Sequence, residues 1–492
     1  MTDSNRAGSR LTRRQMVVRA SAGAAALALP GALSACGGSD KTTPVSTDEW
    51  RQFAGTTLNF ISENTAPTSA IAANVKPFTD LTGIEVKFSQ LELSALVQKV
   101  ALDFASGIGA YDVVYADPYQ VLAPYKSAMA ELNAFNADPN LPKIQDLDDF
   151  IPTQLDAAGR FVDREKLYAL PYDAPTLIWM YRKDIFEKHR GRMQDDLGFD
   201  PMPGDDSTWE QFYEISNWIR TNASDDVPYG SGHQAKQHDS LMNDFSNVLW
   251  AYGGDYFANG QDVGRYGSED PGEPLLDRPE SIEGAEMYRK LVSIAHPASK
   301  GWDWTGLAEA FMAGQVAMGA EWHEFAAGIE ASKIAGKVGY ARLPRGPERS
   351  ANMYGGTGIG INGVAPERQQ KAAWLFVNWA TSPDTQLSNL KSEVGGGTPT
   401  RESIYRLPEV QQARKPPSAI PNVLTTDAVF EAWKPENIGL RPKIAAWNEC
   451  DTVIFTELSK MLAGSQTAEQ CMRNAKDGFE GAIDRAAALR RQ

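Results

Sequence analysis

The first 36 residues constrain this chain most, because they have the order of an export signal. An Arg13-Arg14 pair lies in a polar stretch, an apolar run follows from Ala20 to Leu29, and Leu33-Ser34-Ala35 precede Cys36. A cationic region, a short apolar region and small residues at a cleavage point are typical of a targeting segment. The run is shorter than the roughly 20 apolar residues that span a bilayer. We expect residues 1–35 to be removed and to take no part in the fold.

Leu33-Ser34-Ala35-Cys36 resembles the lipobox of bacterial lipoproteins, in which the cysteine becomes the first residue and carries a diacylglyceryl group. Cys36 is therefore expected to be a lipid anchor, with a free or disulfide-bonded thiol as the alternative. Several acyl chains hold a protein to a membrane far better than one. The arginine pair resembles a twin-arginine export signal, but such pairs also occur in general secretory signals. The export route stays open, and the outer face of the cell membrane is the expected location.

The size and charge of the mature chain limit its fold and its partners. Without residues 1–35 the chain has 457 residues, more than the roughly 250–300 at which a single core stops growing, so at least two lobes are expected. Residues 36–55 are predicted to hold the lipidated cysteine and a flexible linker. The mature chain carries a net charge of about −19, which disfavours a nucleic-acid partner. Membrane contact is expected through the anchor only.

The spacing of Cys450 and Cys471 argues against a disulfide. Residues 441–463 and 467–487 read as consecutive helices, the second opened by a capping box at Thr467. In an antiparallel hairpin Cys450 would then lie ~15 Å along the axis from Cys471. A disulfide needs Cα atoms within about 7 Å, so we expect two buried or half-buried thiols.

Apolar periodicity predicts an α/β protein. Strands are predicted at 57–61, 84–88 and 113–115, with helices between them at 68–82 and 93–104. This alternation is typical of a doubly wound sheet, whose ligands gather beyond the carboxyl ends of strands. A second α/β region follows, with further strands and helices predicted at 177–181, 209–220 after a capping box at 207–210, 281–294, 305–314, 316–318, 354–362 and 366–381.

Seven short motifs in order resemble family 1 of the bacterial extracellular solute-binding proteins, the sugar-binding subunits of ABC importers. They are Tyr168–Tyr172, Met180–Phe186, Thr208–Phe212, Ala310–Met318, Gly355–Ile361, Ala372–Trp379 and Gly397–Arg401. The resemblance implies a two-lobed, hinge-bending α/β fold of type II with three crossings between lobes, near 171–175, 353–357 and 401–408. It implies lobe one at 56–171 plus 357–403 and lobe two at 172–356 plus 404–492. It also implies a monomer that binds a small neutral sugar or polyol, needs no cofactor and delivers its ligand to membrane permease subunits.

Sugars need apolar faces for their C–H surfaces and paired donors and acceptors for their hydroxyls. Most tryptophans in such a protein belong to the core, but Trp302, Trp304 and Trp322 flank places where the family lines its cleft. Asp117 follows a strand and Asp173 lies at a lobe crossing, and for both a helix-cap or turn role is about as probable as hydroxyl binding. Arg401 resembles the family's cleft arginine, with a surface ion pair as its alternative. The remaining candidates are Glu63, Asn64, Tyr119, Tyr252, Glu321, Gly356 and Thr357, the last standing where the family often has an aromatic residue.

We expect one interlobe cavity to be lined by most of a core set of seven residues. At least four of the seven must line it if the family's site transfers to this chain. The set is Asp117, Asp173, Trp302, Trp322, Gly356, Thr357 and Arg401.

Enzyme and metal motifs fail in context. Gly358-x-Gly360-x-x-Gly363 matches the dinucleotide fingerprint in letters, but Asp384 does not follow a second strand as that fingerprint requires. His233 and His238 are five residues apart, which does not place them on one helix face, so no metal site is predicted. Two alternatives remain open: the same fold binding a phosphorylated solute or peptide, and a lipid-anchored glycoside hydrolase.

Overall fold

The computed structural model describes residues 47–394 and 396–490. The predicted signal segment and the Cys36 anchor lie outside this range. A short helix at Thr47–Arg51 lies inside the stretch predicted to be a linker. Phe53 is buried and the Gln52 side chain donates to the carbonyl of Asn140 at 2.8 Å. The linker prediction is therefore wrong for residues 47–55, which dock on the folded chain.

Within the described residues, eleven strands form two main sheets and one small pair. They are β1 Thr57–Glu63, β2 Glu85–Leu91, β3 Val113–Ala116, β4 Ala169–Asp173, β5 Leu177–Arg182, β6 Tyr229–Ser231, β7 Val316–Trp322, β8 Val338–Ala341, β9 Asn352–Met353, β10 Thr357–Ile361 and β11 Ile438–Gly439.

The first sheet has the strand order β2–β1–β3–β10–β4. β1 runs parallel to β2 and β3, whereas β10 is antiparallel to both β3 and β4. The carboxyl ends of β1, β3 and β4 therefore lie at the same edge. The second sheet has the order β6–β7–β5–β8, in which β5 is antiparallel to β7 and β8.

The chain moves between these sheets by short connections. It leaves the first sheet after β4 at Asp173, enters the second at Leu177, and returns to the first at Thr357. β9 and β11 pair with each other just before this return. Each sheet has its own apolar core, built around Phe60 and Phe376 in one and around Trp179 in the other.

Helices cover both sheets. The longer ones are Ala66–Ala73, Lys76–Thr82, Leu93–Ser106, Pro152–Gly159, Lys183–Leu197, Trp209–Asn222, Asp239–Ala251, Gly260–Tyr266, Pro279–Ile294, Trp304–Met312, Glu367–Ala380, Pro383–Leu390, Thr426–Ala432, Trp447–Leu462 and Ala468–Arg490. The shorter ones are Ala123–Tyr125, Leu132–Ala137, Ala326–Glu330, Glu402–Arg406 and Pro408–Ala413. In the part of the chain that the structure describes, no helix is long and apolar enough to cross a membrane.

The C-terminal helical hairpin confirms the thiol prediction. Cys450 and Cys471 are both buried and unbridged, and the Thr467 hydroxyl and the Gln470 side chain form the predicted capping box. The first helix begins at Trp447 rather than at 441. The reason is Lys443, whose buried ammonium donates to four backbone carbonyls at 2.7–3.1 Å and holds this segment out of the helix.

Candidate functional site

A cavity of about 240 Å³ opens where strands of both sheets end. Glu63, Asp117 and Asp173 lie at or just beyond the carboxyl ends of β1, β3 and β4, and Trp322 ends β7 of the second sheet. Ligands of α/β sheets gather at such ends. Its eighteen lining residues are Glu63, Asn64, Thr65, Ala66, Leu93, Tyr115, Asp117, Asp173, Pro175, Asp239, Asn243, Trp304, Thr305, Trp322, Glu324, Phe325, Gly355 and Arg441.

Asp117 serves both as a turn cap and as an ion-pair partner. Its Oδ1 accepts from the backbone N–H groups of Tyr119 and Gln120 at 2.9 and 2.7 Å. Its Oδ2 lies 3.4 Å from the Arg441 guanidinium, and both side chains are buried. Burial raises the pKa of Asp117, and the Arg441 charge only partly opposes that rise. The carboxyl is thus fixed in place by the chain itself, beside one buried cation.

Asp173 and Glu324 form a carboxyl pair across the cavity. Asp173 ends β4 and Glu324 follows β7, and both carboxyl groups bind the same residue, Thr398. Asp173 Oδ1 accepts from the Thr398 N–H at 2.6 Å, and Glu324 accepts from the Thr398 hydroxyl at 3.4 Å. Burial raises the pKa of Asp173 to about 6. Burial and the Asp173 charge raise the pKa of Glu324 well above its usual range, because two neighbouring carboxylates repel each other.

Glu63 is held by a relay of hydroxyl groups. The Tyr115 hydroxyl donates to Glu63 Oε2 at 2.7 Å, and the Thr357 hydroxyl donates to Tyr115 at 3.1 Å. Burial raises the pKa of Glu63 to about 7, and the charges of Asp117 and Asp239 act in the same direction. This carboxyl is therefore partly protonated near neutral pH and can act as donor or acceptor.

Aromatic side chains line the cavity from the second sheet and its helices. The Trp322 ring lies against Gly355, where an added Cβ would come within 2.7 Å of it, so glycine leaves room for the indole. Trp304 begins the helix Trp304–Met312 and packs its edge against the His238 ring, with centroids 4.9 Å apart. Such faces suit the apolar surface of a sugar ring or a cation.

Asp239 and Asn243 occupy one face of a fully buried helix, Asp239–Ala251. Asn243 Nδ2 donates to Asp239 at 2.9 Å, and Gln120 Nε2 donates to Asp239 at 3.3 Å. Asn243 Oδ1 is buried and has no hydrogen-bond partner within the described residues. A ligand donor would satisfy this acceptor.

Residues 62–387 match the family model of the bacterial extracellular solute-binding proteins. The chain belongs to this family. It is 23% identical over 458 residues to a probable amino-acid ABC transporter periplasmic-binding protein of Sinorhizobium fredii, covering 89% of this chain and 92% of that one. It is 24% identical over 428 residues to the erythritol/L-threitol-binding protein of Mycolicibacterium smegmatis, covering 80% and 82%.

A solved structure confirms the fold of this solute-binding protein. The chain superimposes on an ABC transporter solute-binding protein of Agrobacterium vitis with bound D-mannitol, with a TM-score of 0.67 and 24% identity, covering 88% of this chain and 99% of that one. The predicted two-lobed, type II α/β fold is therefore confirmed. The family consists of extracellular binding proteins rather than enzymes.

Six of the thirteen predicted site residues line the cavity of this solute-binding protein: Glu63, Asn64, Asp117, Asp173, Trp304 and Trp322. Their contact with a ligand stays a prediction. Only Asp117, Asp173 and Trp322 of the core set of seven line it, fewer than the four required. The expected convergence of that set is therefore wrong, and the other seven candidates have different surroundings.

Arg401 is buried and has a structural role. It is 1% exposed, and its guanidinium donates to the carbonyls of Thr381 and Gln145 at 2.7 and 3.3 Å. It also pairs with Asp149 at 3.5 Å and stacks over the Phe150 ring at 3.9 Å. With these partners it does not reach the cavity, so both the cleft role and the surface ion pair are wrong.

Gly356 and Thr357 do not line the cavity themselves but lie next to residues that do. A Cβ on Gly356 would lie 1.8 Å from the Tyr354 ring, so this glycine permits a close approach of the chain. The Thr357 hydroxyl points to Tyr115, which itself lines the cavity. Thr357 therefore supports the Tyr115–Glu63 relay from outside the cavity.

Trp302 and Tyr252 have partners elsewhere. The Trp302 ring stacks on His296 with centroids 4.6 Å apart. The Tyr252 hydroxyl donates to Glu210 on a different helix. Neither side chain lines the cavity.

Tyr119 and Glu321 are buried and do not line the cavity. The Arg441 guanidinium lies over the Tyr119 ring at 4.2 Å, which places the tyrosine beneath the cavity arginine. Glu321 points to the opposite face of β7 from Trp322, where Gln234 Nε2 donates to it at 3.1 Å. Successive residues of a strand face opposite sides, so Glu321 cannot share the face of Trp322.

Sequence reasoning missed Glu324, Asp239, Asn243 and Arg441. Two signals could have found them. Asp239 and Asn243 recur at i and i+4 on a helix in which most other residues are apolar, and Arg441 and Lys443 lie between the apolar residues Leu440 and Ile444. Charged residues inside apolar segments are costly to bury unless they are paired or used.

Proposed function

We propose that this chain is the lipid-anchored binding subunit of an ABC importer and takes a sugar or polyol into the cavity between its lobes. The observation that carries the proposal is a cavity built at the strand ends of both sheets of a solute-binding fold, where carboxyl, amide and indole groups meet. These are the groups that recognise hydroxyls and C–H faces. Relatives named for erythritol, L-threitol and D-mannitol support a polyhydroxylated ligand.

The lobes in this proposal keep the ranges inferred from the motifs: 56–171 plus 357–403, and 172–356 plus 404–492. Hinge bending brings them together on the ligand, driven only by the ligand's higher affinity for the closed state. The closed monomer then docks on membrane permease subunits.

A ligand panel tests the binding step. Thermal-shift measurements with neutral sugars, polyols, glycerophosphodiesters and short peptides should show stabilisation by a sugar or polyol, because ligand at 100 times its Kd adds about 2.7 kcal/mol. Stabilisation only by phosphodiesters or peptides would overturn the sugar or polyol assignment. Arg441 is the one cationic side chain among the lining residues and already pairs with Asp117, which disfavours a phosphorylated ligand.

The glycoside hydrolase alternative has less support. Retaining glycosidases hold their two carboxyl groups about 5 Å apart across the sugar bond, and inverting ones hold them further apart. The match of residues 62–387 to a family of binding proteins favours binding over hydrolysis of the sugar.

Lipidation of Cys36 is tested on the protein extracted from membranes. Mass spectrometry should find Cys36 as the first residue with a diacylglyceryl adduct. A Cys36→Ala variant should leave the membrane fraction, because the anchor is removed while the fold is untouched. An intact N-terminus on membrane-extracted protein would contradict the anchor.

A further inference from the structure

The charges that line the cavity are strongly unbalanced. Carboxyl groups come from five lining residues and a cationic group from one, Arg441. Arg441 lies 3.4 Å from Asp117, and the charges of Asp239 and Asp451 also act on it. Its charge is therefore already shared among three carboxyl groups. Glu63, Asp173 and Glu324 face the cavity with no cationic side chain among the other lining residues.

The Asp173–Glu324 pair is suited to bind a cation. Thr398 binds both carboxyl groups, donating its N–H to Asp173 and its hydroxyl to Glu324. Two neighbouring carboxylates resist ionising together unless a positive charge lies beside them. A neutral hydroxyl would leave one proton on the pair, whereas an ammonium group would let both carboxylates accept hydrogen bonds.

Two further features favour an organic amine. The Trp322 and Phe325 rings line the same cavity, and an aromatic face attracts a cation. Asn243 is 2% exposed, lines the cavity beside Asp239 and has an unpartnered Oδ1, which shows that the site takes a ligand donor, either an N–H or a hydroxyl. An ammonium group is a pure donor with three N–H bonds. A metal ion is a weaker candidate, because within the described residues no three His, Cys, Asp or Glu side chains converge as metal ligands do.

We propose that the ligand carries a protonated amine, as an amino sugar or an aminopolyol, and that Asp173, Glu324 and Glu63 accept its N–H bonds. This inference rests on the proposed function and departs from the neutral solute that the family resemblance implies. The hydroxyls of the same ligand would meet Asp117, Asp239 and Arg441 on the other side of the cavity.

The test compares probes that differ in one group. D-glucamine is paired with D-glucitol, and D-glucosamine with D-glucose, by isothermal titration calorimetry at pH 7.5. The N-acetyl forms of both amines remove the charge but keep the nitrogen. We expect at least one amine to bind ten times more tightly than its hydroxyl partner and its N-acetyl form. Equal or tighter binding of the neutral partners would overturn the inference and leave the proposed function standing.

Failure of all these probes, with stabilisation by a peptide or phosphodiester instead, would overturn both proposals. Variants locate the effect: Glu324→Gln and Asp173→Asn should each reduce the ratio of amine to hydroxyl affinity at least tenfold. Glu309→Gln removes an exposed carboxylate from the helix Trp304–Met312, whose start lines the cavity, and should keep the ratio. An unchanged ratio in both cavity variants would contradict the assignment, and the N-acetyl comparison on the unmodified protein decides it if a variant fails to fold.

Discussion

Trp322 and Trp302 are a matched pair of partly buried tryptophans, only one of which lines the cavity. Trp322→Ala should weaken binding of the tightest sugar, polyol or amine probe at least tenfold, because burying an aromatic face contributes about 1–3 kcal/mol. Calorimetric titration measures the change. Trp302→Ala removes a ring that stacks on His296 instead. It should lower Tm and leave Kd within about twofold, and equal losses of affinity in both variants would show that the cavity lining is misassigned.

Arg401 should matter for stability rather than for binding. Arg401→Ala leaves buried carbonyls without a donor and Asp149 without its buried partner, so the free energy of unfolding should fall by about 3–5 kcal/mol. Urea unfolding measures this. Arg406→Ala is the control, because Arg406 also lies near Asp149, at 3.7 Å, but is exposed; it should cost at most about 1 kcal/mol. A loss of ligand affinity in folded Arg401→Ala would show that Arg401 does contribute to ligand binding.

The sequence reveals single residues only where local chemistry marks them. Glu63 and Asp117 could be predicted because each lies beyond a readable strand, where α/β sheets place their ligands, and Asp173 because the family resemblance implies a lobe crossing there. Arg401 was predicted from its resemblance to the family's cleft arginine, yet its burial against Phe150 depends on a contact across 251 residues of chain. Glu324 was missed because its partner Asp173 is distant in sequence and only the packing of two sheets brings the carboxyl groups together.

At the scale of elements, periodicity was a reliable guide. The predicted strands at 57–61 and 113–115 appear as β1 and β3, and the helix predicted at 93–104 ends at Gly107 with φ +66° as its cap. The capping box before the helix Trp209–Asn222 is formed by Thr208 and Gln211, one residue later than predicted. The first C-terminal helix was predicted six residues too early, since the four carbonyls that hold Lys443 belong to remote elements.

Glu63, at the end of β1, makes the stability of the protein depend on pH. Glu63 has a folded-state pKa of about 7, above its unfolded value of 4.5. The folded protein therefore holds a proton that the unfolded chain releases, and the stability from this group is present below pH 4.5 and lost as the pH rises through 7. The stability of the wild-type protein relative to Glu63→Gln should thus fall by on the order of 2 kcal/mol between pH 5 and 7.5.

Thermal unfolding of both proteins across that range measures the difference. His323 is also buried, with its pKa lowered to about 4, and its contribution is lost as the pH falls from 6.5 to 4. It cancels because both proteins contain it, whereas Tyr115, Asp117, Asp239 and Glu92 interact with Glu63, so their response to its removal is part of the measured difference. A difference that does not change with pH would mean that Glu63 keeps an ordinary pKa in the folded protein.

For the whole molecule, the two-lobed fold places like charges on opposite sides of one cavity. Asp117 follows β3 of the first sheet, whereas Asp239 and Asp451 lie on helices that pack with the second core. Arg441 lies between them as the shared cation. In the absence of ligand this guanidinium offsets the repulsion between the buried carboxylates, beside other contacts between the same chain segments, such as those of Lys443 with the carbonyls of Asp156 and Ala157.

Arg441→Gln should consequently open the ligand-free protein. Small-angle X-ray scattering should show a larger radius of gyration than for the wild type, and unfolding should cost about 3–5 kcal/mol less, because the buried carboxylates lose their partner. Arg182→Gln is the matched control: Arg182 is also a buried arginine and pairs with Asp184 at 2.6 Å, but both belong to the chain around β5 alone. It should lower stability and leave the radius of gyration unchanged. If Arg441→Gln is as compact as the control, contacts other than this ion pair hold the lobes together, and the charge balance of the cavity does not govern closure.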